Sequence, residues 1–148
     1  MNTEQLEKLR RPEFQKFLAQ PHLARLGTSN PRTNQPHVVP VWYEWDGESI
    51  YISAFVSTRK VRDIYRNRRI SVLVDIAEKD GATMAVLFEG AAEIIENPAL
   101  VQKWATSIYT RYLGPEGVLA EDPQSWIVDP ENRIIKLTPE AVYTWGGG

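Results

Sequence analysis

Two Asp-Gly pairs, each set between runs of β-branched and aromatic residues, constrain this chain most. Asp46-Gly47 separates PHVVPVWYEW (36–45) from ESIYISAF (48–55), and Asp80-Gly81 lies between RISVLVDIA (69–77) and MAVLFEGAAEII (84–95). A short Asp-Gly link matches the twist of two antiparallel strands, so each pair predicts a β-hairpin. Side chains alternate along a strand, which puts Ile70, Val72, Val74 and Ile76 on one face and Met84, Val86 and Phe88 on another. Gly90 falls inside the second of these strands and predicts a bulge or a sharp bend.

HLARLGTS (22–29) and RIIKLTPEAVYTW (133–145) complete a set of six predicted strands, with the turn-rich NPRTNQP (30–36) after the first. Helices flank them. Residues 3–19 read as two pieces, with Thr3 as N-cap and Pro12 restarting the helix in a first turn. Residues 1–20 thus form an N-terminal helical segment. Ser57 to Asn67 reads as a helix capped by Ser57, with Val61, Ile64 and Tyr65 inward. Asn97-Pro98 opens a longer one, with Val101, Trp104, Ala105, Ile108 and Tyr112 on its apolar stripe, ended by Gly114-Pro115. Residues 115–131 carry three prolines and read as loop, and Gly146–Gly148 as a flexible tail. Hairpin links exclude an alternating βαβ plan. The expected fold is mainly β: one domain over 1–148, a six-stranded antiparallel split β-barrel with flanking helices.

Composition narrows the chemistry. The 148 residues include no cysteine, which removes disulfides, thiolate catalysis and cysteine metal sites. Only His22 and His37 could serve as imidazole ligands, so no metal site is expected. The net charge of −2 favours neither nucleic acid nor membrane. No signal peptide or apolar run of membrane-spanning length occurs, and a cytoplasmic location is expected. Phosphate-loop, dinucleotide, nucleophile-elbow and zinc-protease motifs are all absent. No carboxylate pair is marked as an acid–base couple, so the sequence names no catalytic residue.

One segment departs from the average. Arg59, Lys60, Arg62, Arg66, Arg68 and Arg69 crowd into eleven positions with Asp63 as the one acid among them. The stretch directly follows a strand and opens a helix. Helix N-terminal N–H groups, the hydroxyls of Ser57 and Thr58, and the Arg59-Lys60 pair would together make an anion site. A solvated basic face explains the same residues equally well, and a nucleic-acid face is a third reading. A second feature is the strand 36–41. Pro40 cannot donate to a ladder, so it marks an edge or a bulge. Val38, Val39 and Trp42 beside it would suit a flat apolar ring, although residue type alone favours ordinary core.

Taken together, HLARLGTS, QPHVVPVWYEWDGESIYIS, STRKVRDIYRNRRISVLVD and FEGAAEI, in that order and spacing, resemble the flavin-binding split-barrel family related to pyridoxamine 5′-phosphate oxidase. The resemblance spans about residues 12–145. It implies a homodimer binding FMN, or the deazaflavin coenzyme F-420 in one branch, between subunits, and an oxidoreductase acting on a small-molecule substrate. Carried over by position, it implies that His37, Val38, Val39, Pro40, Val41 and Trp42 flank the isoalloxazine. Ile52 and Ser53 would contact it from the next strand, and Thr58, Arg59 and Lys60 would hold the phosphate. Trp42, Trp145 and the last strand would lie near the subunit interface. Two departures set the substrate apart. A Gln expected ahead of Glu89-Gly90 is replaced by apolar sequence near Ala85, and the chain ends VYTWGGG rather than in an Arg-rich tail. Vitamin B6 phosphate is therefore not the expected substrate. The ending is closer to small bacterial members, many of them deazaflavin-dependent reductases. A flavin carrier or sensor without turnover is the non-enzymatic alternative.

Overall fold

A computed structural model describes residues 3–77 and 79–147. The strands are β1 Ala24–Ser29, β2 Pro36–Val41, β3 Glu44–Trp45, β4 Ile50–Phe55, β5 Arg69–Ala77, β6 Thr83–Ile95, β7 Asn132–Leu137 and β8 Ala141–Trp145. The helices are α1 Thr3–Leu9, α2 Pro12–Ala19, α3 Arg59–Arg66, α4 Pro98–Gly117 and α5 Glu121–Val128. Every strand pairing is antiparallel. The strand order is β2-β1-β5-β6-β7-β4-β3, with β8 also on β6, and the sheet curls into a half-barrel.

Strand β6 makes that curl. Its residues 85–89 pair with β8 and 92–95 with β7, while β5 runs along the other side. Gly90 sits between the two partners. A Cβ there would stand 3.0 Å from Leu137 Cδ1, 3.2 Å from the Glu140 amide nitrogen and 3.4 Å from the Thr138 carbonyl oxygen. The bend read from the sequence is therefore present, and its cause is close backbone approach.

Among the described residues the strands number eight rather than six. The stretch 133–145 divides at Thr138–Glu140, where the Glu140 N–H turns to Glu89 O at 2.8 Å. The stretch 36–45 is broken at Trp42 and Tyr43. Tyr43 gives its N–H to the Tyr112 hydroxyl at 3.1 Å, outside any ladder. Its ring is buried, and its own hydroxyl donates to Leu18 O at 2.8 Å.

The helices need further corrections. The N-cap of α3 is Thr58, not Ser57, and no side chain caps it. Val61 and Ile64 are buried as expected, but Tyr65 is exposed and donates to Glu96 at 2.5 Å. Helix α4 does not stop at Gly114. It kinks there, at φ 81°, and a further turn runs to Gly117. Within 115–131 lies a real helix, α5, with Pro123 in its first turn, where no intrahelical N–H is required. Thr3 is the first helical residue of α1, and the cap position before it falls outside the described residues. Gly146 and Gly147 follow β8. Both have positive φ, and a Cβ would stand 2.3 Å from Thr83 O at Gly146 and 2.7 Å from the Phe14 ring at Gly147. Gly148 lies outside the described residues.

The main core fills the half-barrel with Phe14, Leu26, Tyr43, Ile52, Val72, Phe88 and Leu137. A second core holds α4 and α5 against the far side of β4 and β7 through Tyr51, Ala105, Ile108 and Ile134. This second layer carries the aromatic wall of the site.

Candidate functional site

Among the described residues, strand β2 pairs only with β1 and forms a sheet edge, as Pro40 predicts. Beyond its end, Trp42 leaves the ladder and turns to α4. Its ring stacks on Tyr112, centroids 4.8 Å apart and planes at 5°, and meets Tyr109 edge-on at 6.1 Å. Tyr109 in turn meets Trp126 of α5 edge-on at 5.9 Å. A cavity of about 370 Å³ opens against this wall, lined by Leu23, Pro40, Val41, Trp42, Ser53, Lys60 and Tyr109. Five of these seven are among the residues assigned from the sequence.

Lys60 is the charged group of the cavity. It sits in the first turn of α3, half-buried, and burial lowers its pKa from the ordinary lysine value. Among the described residues it has no ion pair and no side-chain hydrogen bond. The first-turn N–H groups of α3 beside it are also free of any side-chain cap. An unpaired cation near open N–H donors attracts an anion.

Ser53 reaches the cavity from β4. Its hydroxyl lies 2.7 Å from the Tyr109 hydroxyl and donates to Asn132 Oδ1 at 2.8 Å. Asn132 is buried and donates from Nδ2 to Trp126 O at 3.0 Å. Burial raises the Tyr109 pKa above the usual phenol value, so its hydroxyl stays protonated.

The other assigned residues are placed differently. Arg59 is largely exposed and does not line the cavity. Its Nε lies 3.5 Å from Asp63 Oδ2, a carboxylate buried one turn on. Ser57 is exposed, and Thr58 donates its hydroxyl to Phe55 O at 2.7 Å. Ile52 is fully buried in the main core, on the face of β4 opposite Ser53. Val39 packs against that core as well. His37 and Val38 line a separate cavity of about 490 Å³ with Ser29, Arg69, Ser71 and Glu89. The structure thus brings Pro40, Val41, Trp42, Ser53 and Lys60 together and leaves Arg59, Ile52 and Val39 outside. Tyr109 and Asn132 were not singled out from the sequence. Tyr109 lies four residues after Ala105, on the same helical stripe, and that spacing is the signal that could have found it.

Over residues 11–146 the sequence matches the family profile described as Pyridoxamine 5'-phosphate oxidase. The chain belongs to that family. Among solved structures it resembles a conserved hypothetical protein from Mycobacterium tuberculosis, at 25% identity and TM-score 0.75, over 90% of this chain and 82% of that one. It also resembles an F420 reductase, at 26% identity and TM-score 0.67, over 87% of this chain and 94% of that one. The heme storage protein HutZ from Vibrio cholerae shares the fold alone, at 18% identity and TM-score 0.75, over 93% and 96% of the two chains. No curated protein matches the sequence. The half-barrel sheet with flanking helices is the family's split barrel. Among the described residues, no cluster of three or more His, Cys, Asp or Glu could hold a metal ion, and no helix is long and apolar enough to cross a membrane.

Proposed function

We propose that this protein is a flavin-dependent oxidoreductase that binds FMN beside Lys60 and acts on a small molecule other than vitamin B6 phosphate. One observation carries the reading. A half-buried lysine without an internal partner faces a cavity walled by Trp42 and Tyr109. The charge suits a phosphate and the aromatic wall suits a ring system, so the residues present fit the group. Lys60 and the first-turn N–H groups of α3 hold the phosphate. Trp42, braced by Tyr112, supplies the apolar wall and excludes water. Bound flavin supplies the redox chemistry, and the protein contributes grip and orientation.

The similarity to an F420 reductase favours one second reading, in which the deazaflavin coenzyme takes the same place. In either case we take the working unit to be a homodimer. Val38, Tyr143 and Trp145 are 65%, 41% and 48% exposed in the single chain, and a second copy would cover such apolar surface. Light scattering is then expected to give twice the chain mass of 16.9 kDa.

The deciding experiment is titration of the purified protein with FMN, and separately with the deazaflavin, followed by fluorescence. Charge-assisted hydrogen bonds are worth about 1.5–3 kcal/mol, so Lys60→Ala is expected to weaken binding roughly 10- to 150-fold. Arg59→Ala is expected to have the smaller effect, because Arg59 is tied to Asp63 and outside the cavity. Riboflavin, lacking the phosphate, should bind weakly and respond little to either change. Failure of both cofactors to bind overturns the reading.

A further inference from the structure

The hydrogen bonds behind the cavity have a fixed direction. Asn132 donates from Nδ2 to Trp126 O, which can only accept, so Oδ1 must face Ser53. The reverse orientation would set Oδ1 against the Trp126 carbonyl, two acceptors facing each other. Ser53 has one hydroxyl hydrogen, and Asn132 Oδ1 takes it. The 2.7 Å contact between Ser53 and Tyr109 therefore needs its hydrogen from Tyr109. The chain runs Tyr109 to Ser53 to Asn132 to the Trp126 carbonyl. Both hydroxyl hydrogens are committed along it, so what Ser53 and Tyr109 offer the cavity is oxygen lone pairs. Opposite in character, Lys60 can only donate.

We propose that the Ser53–Tyr109 wall is an acceptor site that selects a hydroxyl donor on the bound cofactor, close to the anionic group held by Lys60. This rests on the flavin reading and narrows it. Both walls belong to one cavity of about 370 Å³, so donor and anion lie near each other on the ligand. On FMN the hydroxyls of the ribityl chain adjoin the phosphate, and the ring's imide N–H is remote from it. The wall thus reads the sugar-alcohol chain. A phenol kept protonated by burial fits this, since its hydrogen remains committed to Ser53 at neutral pH.

The test compares FMN with an analogue that has the same ring and terminal phosphate but a chain whose hydroxyls are replaced by hydrogen. Wild type is expected to prefer FMN about tenfold, the discrimination that follows when a buried acceptor loses its donor. Tyr109→Phe and Ser53→Ala should each bring that ratio toward one, by weakening FMN more than the analogue. Circular dichroism checks folding, and either variant suffices if the other fails to fold. Equal wild-type affinity for the two ligands overturns the inference and leaves the flavin reading standing. Retention of the wild-type ratio in a folded variant does the same. Binding of neither ligand to wild type overturns both.

Discussion

Trp42 and Tyr112 stack with their rings 4.8 Å apart and within 5° of parallel, although 70 residues separate them in sequence. The contact joins the end of the edge strand to α4. Tyr112 also donates to His22 O at 2.6 Å and accepts the Tyr43 N–H at 3.1 Å. Arg111 adds bonds to Tyr43 O, Ala19 O and Gln20 O, at 3.1, 2.8 and 3.2 Å. One turn of α4 therefore fixes the segments that carry Leu23 and Trp42 to the cavity.

Tyr112→Phe keeps the stack and deletes the hydroxyl. It leaves the Tyr43 N–H and the His22 carbonyl without that partner, an expected cost of about 1–3 kcal/mol. Urea unfolding measures it. FMN affinity should fall less than in Lys60→Ala, because the aromatic wall remains.

How far the fold could be read from sequence follows the range of the forces involved. Pro40 marks an edge strand because proline lacks an N–H, a local fact. Gly90 marks a bend for an equally local reason, and the Val101, Ala105 and Ile108 stripe needs only helical spacing. The break at Trp42-Tyr43 was illegible because its cause, the Tyr112 hydroxyl, lies on another element. Helix α5 was hidden by Pro123, which reads as a breaker until its first-turn position is known. Lys60 and Arg59 are adjacent and chemically alike. Only packing separates them, since the helical turn places Lys60 at the cavity and Arg59 beside Asp63. The Ser53–Tyr109–Asn132 chain joins β4, α4 and β7 and has no sequence signature.

Gly90→Ala tests the bend. The added Cβ would press on the Glu140 amide and Thr138 carbonyl, and backbone cannot yield as a side chain can. An expected destabilisation of about 1–3 kcal/mol follows from overpacking. Thermal unfolding reads it as a lower Tm, with no specific loss of FMN affinity in the folded fraction.

Trp104→Ala tests the docking of α4. Trp104 lies flat on Tyr51, centroids 3.7 Å apart and planes at 9°, with Lys136 over the Tyr51 ring at 5.8 Å and Lys103 over Trp104 at 5.5 Å. Because Trp104 is partly exposed, its loss should cost about 1–3 kcal/mol, below the range for a fully buried tryptophan. Trp104→Phe should recover part of it. Chemical denaturation separates the three proteins.

Lys60→Met tests whether binding and stability conflict at one residue. Burial lowers the Lys60 pKa in the folded protein, so the folded chain binds this proton less readily than the unfolded chain. Below both pKa values, and so at neutral pH, the buried charge costs stability. The cost disappears as pH rises through the lowered pKa toward the ordinary value of 10.5. Methionine keeps an apolar stem and removes the charge. Lys60→Met is therefore expected to raise Tm at pH 7, with the gain shrinking toward pH 10. Solvent around the half-exposed ammonium keeps that gain small. Adding FMN should reverse the ranking, since a ligand that binds the folded state raises wild-type Tm by mass action and the variant has lost the anion's partner. A variant that melts no higher than wild type without FMN, yet is equally protected by FMN, would show that Lys60 neither strains the empty site nor holds the phosphate.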